Sequence, residues 1–313
     1  METLMATLNQ MAVLFLFIII GFVLRKTNIL KDSASAALSK LEYWAILPAL
    51  TVNVFAENFT VEKLNMAWKL FLFGFALVLI MVVIAIILAR FCSKDKYLQN
   101  IYTYGLAIAN FSYMGNAVVL AVFPDIFLEY MIFTLPFSIV TYVWAVNLLL
   151  PEKEGKKTFL QSLKNCINPI FISMVIGIVL GLTGFKLPGF VNTVISSAAT
   201  CMSPLAMILT GIVIAGIDLK KVLKNKTIYI TSALRLIALP MLVFLFFLLV
   251  PMEKSYVICS MCAIAMPFGL NVVVFPSAYG LDTSVGAGMT VISHLAACVT
   301  IPVIFYITTT FLC

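Results

Sequence analysis

Two short clusters combine amide and hydroxyl side chains with helix breakers inside otherwise apolar runs. One is Asn110-Phe111-Ser112-Tyr113-Met114-Gly115-Asn116, and the other is Pro267-Phe268-Gly269-Leu270-Asn271. Breakers there interrupt the backbone ladder and leave N–H groups at the start of the next helical piece. Such ends favour an anion, because bare N–H groups and the positive dipole end point the same way. Asn110, Ser112, Asn116 and Asn271 would add neutral donors, while Gly115, Pro267 and Gly269 shape the breaks. Two ionisable residues lie within reach of this chemistry. His294, the single histidine, could bind an anion or carry a proton. Arg235 could draw in a carboxylate through a bidentate pair.

Catalytic chemistry has little to work with. There is one histidine, no Gly-x-Ser-x-Gly and no acid pair inside an apolar run. Ser293 and His294 are adjacent, and adjacent residues on a helix do not face each other. Cys259 and Cys262 form a lone CxxC inside an apolar run, which reads as structural. No catalytic residues, metal site or cofactor are expected, and the chain is not expected to be an enzyme.

The elements that must carry these clusters follow from composition. Of 313 residues, 63% are apolar or aromatic and 11% are charged, with a mean hydropathy of +1.12. Soluble domains run at about 25% charged. A soluble fold of this length could not cover its surface with so few charges, which excludes a cytosolic enzyme, a disordered chain and a nucleic-acid binder. The apolar runs do not alternate, which excludes a membrane barrel. A bilayer core about 30 Å thick takes about 20 helical residues per crossing. Ten segments meet that length: 4–24, 33–56, 66–90, 98–123, 126–150, 166–184, 189–216, 227–250, 255–279 and 285–312. The fold expected is an all-α polytopic membrane protein with the lipid bilayer as partner and no nucleic acid.

The net charge of +7 records orientation. Arg25, Lys26, Lys31, Arg90, Lys94, Lys96, Lys153, Lys156, Lys157, Lys164, Lys220, Lys221, Lys224 and Lys226 fall in odd-numbered loops, against Lys63, Lys186 and Lys254 in even ones. The bias places the odd loops in the cytoplasm and both termini outside, in a multi-pass plasma (inner) membrane protein. Lys40 and Glu42 open the second segment and read as interfacial. Tyr43 and Trp44 read as facing other helices, and Phe244 to Phe247 as facing lipid. Glu129 lies near a segment end. With no Asp or Glu near a segment's middle, cation–proton exchange is disfavoured.

The ten segments divide into two fives that resemble each other. Ile20-Gly21-Phe22-Val23-Leu24 returns as Ile176-Gly177-Ile178-Val179-Leu180, Pro48 as Pro204, and Ala107-Ile108-Ala109 as Ala263-Ile264-Ala265, each 156 positions on. Asn116 answers Asn271 at 155, and Thr134-Leu135-Pro136 answers Thr300-Ile301-Pro302 at 166. Five is odd, so the second repeat enters the membrane from the opposite side, a pattern typical of secondary transporters. The first repeat covers 1–150, a cytoplasmic linker 151–165, and the second repeat 166–313. Segments four and nine would be broken and would cross near the midplane.

Several motifs in order resemble the auxin efflux carrier family of permeases, including its bacterial members. They are Ile19-Ile20-Gly21-Phe22-Val23-Leu24-Arg25-Lys26, Leu47-Pro48-Ala49-Leu50, Asn110 with Gly115, Leu234-Arg235-Leu236 with Pro240, and Pro267-Phe268-Gly269-Leu270-Asn271 followed by Tyr279-Gly280-Leu281-Asp282. The resemblance implies a scaffold of segments one, two, six and seven, and a moving transport domain of three to five and eight to ten. It implies an organic-anion substrate at the crossover, with a homodimer through the scaffold helices as a further partner. Two departures stand where substrate would be read. Asn116-Ala117 replaces a proline after the glycine of segment four, and Ser293-His294 replaces Ser-Thr in segment ten. The leading expectation is alternating-access transport of a small carboxylate. Sodium-coupled anion symport and a receptor or channel are the alternatives.

Overall fold

The structure is a computed structural model, describing residues 2–31, 33–149, 168–216 and 225–312. The linker 151–165 and its Lys153, Lys156, Lys157 and Lys164 lie outside the described residues, as do Lys220, Lys221 and Lys224. The described residues form helices: α1 (Glu2–Lys26), α2 (Ser33–Leu41), α3 (Leu47–Asn58), α4 (Leu64–Cys92), α5 (Lys96–Ala107), α6 (Asn116–Val122), α7 (Phe127–Val140), α8 (Pro169–Thr183), α9 (Gly189–Thr200), α10 (Met202–Ala215), α11 (Lys226–Ala233), α12 (Leu239–Leu249), α13 (Lys254–Ala265), α14 (Asn271–Ala278) and α15 (Ser284–Phe311). Six stretches among them are long and apolar enough to cross a membrane: Leu8–Lys26, Val61–Cys92, Pro124–Ala145, Gly189–Ala215, Lys226–Leu249 and Ser284–Phe311.

The outside of the molecule is apolar. In α4, Leu70, Gly74, Val78, Met81, Ala85 and Ala89 recur every three or four residues and are buried. The opposite face shows Leu72, Leu79, Ile80, Val83 and Ile87 to the surroundings. A helix apolar all round, with its outer face unburied by protein, belongs in lipid. The chain is a multi-pass membrane protein.

Several long helices carry one widened turn with i→i+5 bonding. At Glu42–Ile46 the N–H of Leu47 donates to Glu42 O, and at Leu234–Ala238 the N–H of Leu239 donates to Leu234 O. Pro48 and Pro240 follow directly and have no N–H to continue the ladder. The turn before each proline relaxes to a wider spacing. Both widened turns aim a charged side chain inward, and Glu42 and Arg235 are fully buried.

Glu42 is therefore not interfacial: the widened turn swings it into the protein. The same turn sends Trp44 outward, 68% exposed, rather than toward neighbouring helices. Phe244 to Phe247 also divides. Phe244 and Phe247 are buried while Leu245 and Phe246 face out, because a helix cannot turn four consecutive residues to one side.

Two helix pairs are drawn together by glycine. α1 packs on α10, where a Cβ on Gly21 would run into the Ile208 carbonyl and one on Gly211 into the Ile18 carbonyl. α8 packs on α3, where a Cβ on Gly177 would come within 2.7 Å of Phe55 Cβ and 3.3 Å of Val52 Cα. Small residues allow the backbone approach that drives association in lipid. Gly21→Val is expected to destabilise the protein by about 1–3 kcal/mol through overpacking. Thermal melting of purified protein checks this against Gly189→Val, where no atom lies within 4 Å of the added Cβ and melting should be unchanged.

Candidate functional site

α5 ends at Ala107, and the chain runs extended through Ile108 and Ala109 before a widened turn, Phe111–Gly115, opens α6. α13 ends at Ala265, Met266 is extended, and α14 begins at Asn271. The two interruptions touch. Ala109 and Phe268 pair as an antiparallel bridge, and the Asn110 N–H donates to Pro267 O at 2.8 Å. Each broken end thus satisfies part of the other's backbone, as a water-free interior requires.

Arg235 satisfies much of the remainder. Its Nη1 donates to Leu106 O at 2.9 Å, Nε to Met266 O at 3.1 Å and Nη2 to Ala263 O at 3.4 Å. These carbonyls belong to the C-terminal ends of α5 and α13 or follow directly on them. One guanidinium, with five donors in a fixed plane, joins both ends. Arg235 is fully buried and does not line the cavity described below. Three of its five donors are engaged by backbone carbonyls, and no carboxylate of the described residues is among its partners.

Asn110 is held in one orientation. Its Oδ1 accepts from the Met114 N–H at 3.3 Å, capping the next helical turn. Its Nδ2 meets His294 Nε2 at 3.2 Å. His294 Nδ1 lies 2.8 Å from Thr290 O, which can only accept, so Nδ1 carries the proton and Nε2 accepts from Asn110. His294 is fully buried and off the cavity wall. It holds the Asn110 amide from behind the cavity wall.

Asn271 Nδ2 donates to the Tyr104 hydroxyl at 2.8 Å, and the Phe268 N–H donates to Ser293 Oγ at 3.2 Å. The Tyr130 hydroxyl donates to Phe111 O at 2.9 Å. Gly115 permits that contact, since a Cβ there would collide with the hydroxyl. Tyr104, Tyr130 and Thr290 are supports that nothing in the sequence marks out, whereas Ser293 stands in the segment-ten departure from the family pattern. Tyrosines at 104 and 130 fit an apolar pattern as readily as a hydrogen-bonding one, and only the crossing reveals their partners.

A cavity of about 680 Å³ lies against the crossing. Asn110, Ser112, Gly269 and Asn271 line it, whereas Gly115, Asn116 and Pro267 stand behind the wall. Asn116, at the first turn of α6, is 7% exposed and packed inside. Ser39, Tyr43, Tyr113, Ser138, Thr141, Tyr142 and Asn168 complete the polar lining, and Leu47, Phe71, Phe111, Leu135, Phe171, Met174 and Phe275 supply much of the apolar area. No charged side chain lines it among the described residues.

The polar balance of the crossing follows. Arg235 covers carbonyls at the C-terminal ends of α5 and α13, which are the negative dipole ends. The N–H groups that open the Phe111–Gly115 turn and α14 are the positive ends, and Ser112 and Gly269–Asn271 are on the cavity wall. Arg235→Met would strip three carbonyls of their donors. It is expected to destabilise the protein by about 3 kcal/mol or more, since bonds to a charged donor are worth about 1.5–3 kcal/mol each. Melting temperatures of Arg235→Met and of Lys69→Met, on the exposed part of α4, make the comparison.

A search of curated proteins gives no significant match. A family model described as membrane transport protein matches residues 6–305. With that match running over almost the whole chain, the protein belongs to this membrane transport family, the auxin efflux carrier family of permeases.

Proposed function

We propose that the protein is a secondary transporter of a small organic anion, bound in the cavity against the crossing of the two broken helices. One observation carries this reading: Arg235 donates to carbonyls at the C-terminal ends that meet at the crossing, and residues at the N-terminal starts of the two following helical pieces, Ser112 and Gly269–Asn271, line the cavity. An anion there meets backbone N–H groups of both second half-helices, with Asn110, Ser112 and Asn271 beside them. The cavity falls in the range of about 300–1,000 Å³ typical of small-molecule sites. Its aromatic and aliphatic lining favours a monocarboxylate with an apolar body over a dicarboxylate, whose second charge would have no partner there.

The architecture in this proposal has ten spans in two inverted five-helix repeats. The glycine contacts support it. Gly21 meets Ile208, and Gly177 meets Val52; both members of the second pair are related to the first by 156 positions. The cavity wall includes Ser39, Tyr142 and Asn168, near the ends of helical runs that meet the first loop and the 150–167 segment. These loops are on the lysine- and arginine-rich side, so the conformation is inward-facing, with both termini outside the plasma membrane. α1 to α3 and α8 to α10 would form the scaffold, and the helices carrying the crossing would move against it.

Proteoliposomes provide the test. Saturable uptake of benzoate or hexanoate is expected to exceed that of succinate. Asn110→Ala and Asn271→Ala should each reduce it about 10- to 100-fold, the effect of losing a hydrogen bond to a charged group. If both variants transport like the parent, the site lies elsewhere. Replacing sodium with potassium, with uptake unchanged, separates this reading from sodium-coupled symport.

A further inference from the structure

Glu42 is the charged side chain the site does not yet use. It is fully buried, nine residues into the helical run that begins at Ser33, and neither carboxyl oxygen has a hydrogen-bond partner. The elements packed against its turn are α2, α3, α8, α9 and α10. The ionisable groups they carry are Lys40, exposed on α2, and Glu57, exposed at the far end of α3. Within the turn there is Tyr43, and Tyr113 lies close enough to feel the Glu42 charge. Tyr43 and Tyr113 both line the cavity. The carboxyl therefore stands beside residues of the cavity wall, and no cation among these groups bonds to it.

An ionised carboxylate in such a place is costly without a partner. It would also repel an anion in the adjoining low-dielectric cavity. A metal cation would need several oxygen ligands, and no polar atom lies within hydrogen-bond reach of either oxygen. A single proton meets the need. We infer that Glu42 is a proton-binding site linked to the anion cavity, so that an anion entering the inward-facing cavity is accompanied by one proton taken from water onto the Glu42 carboxyl. When the carboxyl returns that proton to water, the anion is expelled. By linkage, the anion favours the proton as much as the proton favours the anion. This inference rests on the anion reading of the cavity.

Calorimetric titration of the purified full chain with benzoate, from about pH 5.5 to 8.5 where the probe is ionised, tests it. The expected affinity weakens by up to about tenfold per pH unit once Glu42 gives up its proton, the slope for one linked proton. Glu42→Gln should bind benzoate with the parent's low-pH affinity across the whole range. Glu57→Gln, a control at the exposed end of α3, should keep the parent's slope. Should Glu42→Gln fail to fold, repeating the parent titration in buffers of different ionisation enthalpy counts the protons directly. At the alkaline end of the range, where the ligand-free carboxyl has given up its proton, uptake approaching one proton per benzoate is expected, and none there overturns the inference. Benzoate binding that is insensitive to pH, equally pH-dependent in Glu42→Gln, or governed by sodium through Glu42 also overturns it while leaving the anion site standing. Failure of both benzoate and hexanoate to bind at any pH overturns the anion reading, and this inference with it.

Discussion

A helix that stops inside a bilayer leaves carbonyls with no water to accept from, and this constraint organises the molecule. Two helices stop here, side by side, and one guanidinium reaches carbonyls from both. The bridge between Ala109 and Phe268 and the bond from Asn110 to Pro267 take up further backbone groups. Carbonyls on both sides of the crossing are thus covered by protein donors, while Ser112 and Gly269–Asn271, at the starts of the following helical pieces, line the cavity.

The support around the crossing follows the same need. His294 and Met114 fix the Asn110 amide from either side, Tyr104 fixes Asn271, and Tyr130 reaches Phe111 O past Gly115. His294 and Tyr104 reach their partners from helices distant in sequence, which ties the two interruptions together. The glycine contacts of α1 with α10 and of α3 with α8 build a separate close-packed group. The cavity has walls from both groups, with Tyr43 and Leu47 on one side and Asn110 and Asn271 on the other. A ligand in it would touch both groups.

Much of this was legible in the residue order. The breakers around Asn110 and Gly269, the scarcity of charge in the long apolar runs and the membrane class all follow from local chemistry. The roles of individual polar residues were harder to read. Arg235 looked like a carboxylate ligand because its type says nothing about which acceptors will surround it. Asn116 and Asn271 look equivalent in sequence, yet only Asn271 reaches the cavity, because α6 follows a widened turn that rotates its first residue inward. Glu42 was misplaced for a similar reason. Hydropathy sets it two residues from the exposed Lys40, and only the widened turn before Pro48 carries it inside.

The central claim is that an anion sits with its charge on the N–H ends of the crossing. Density for 4-iodobenzoate in an experimentally determined complex tests it most directly, since the iodine marks one end of the ligand. The account predicts the carboxylate within hydrogen-bond distance of Ser112 and the Gly269–Asn271 backbone, with the iodine among Phe71, Phe171 and Met174 on the apolar side. A ligand bound outside this cavity, or one with its carboxylate turned away from the crossing, would contradict it.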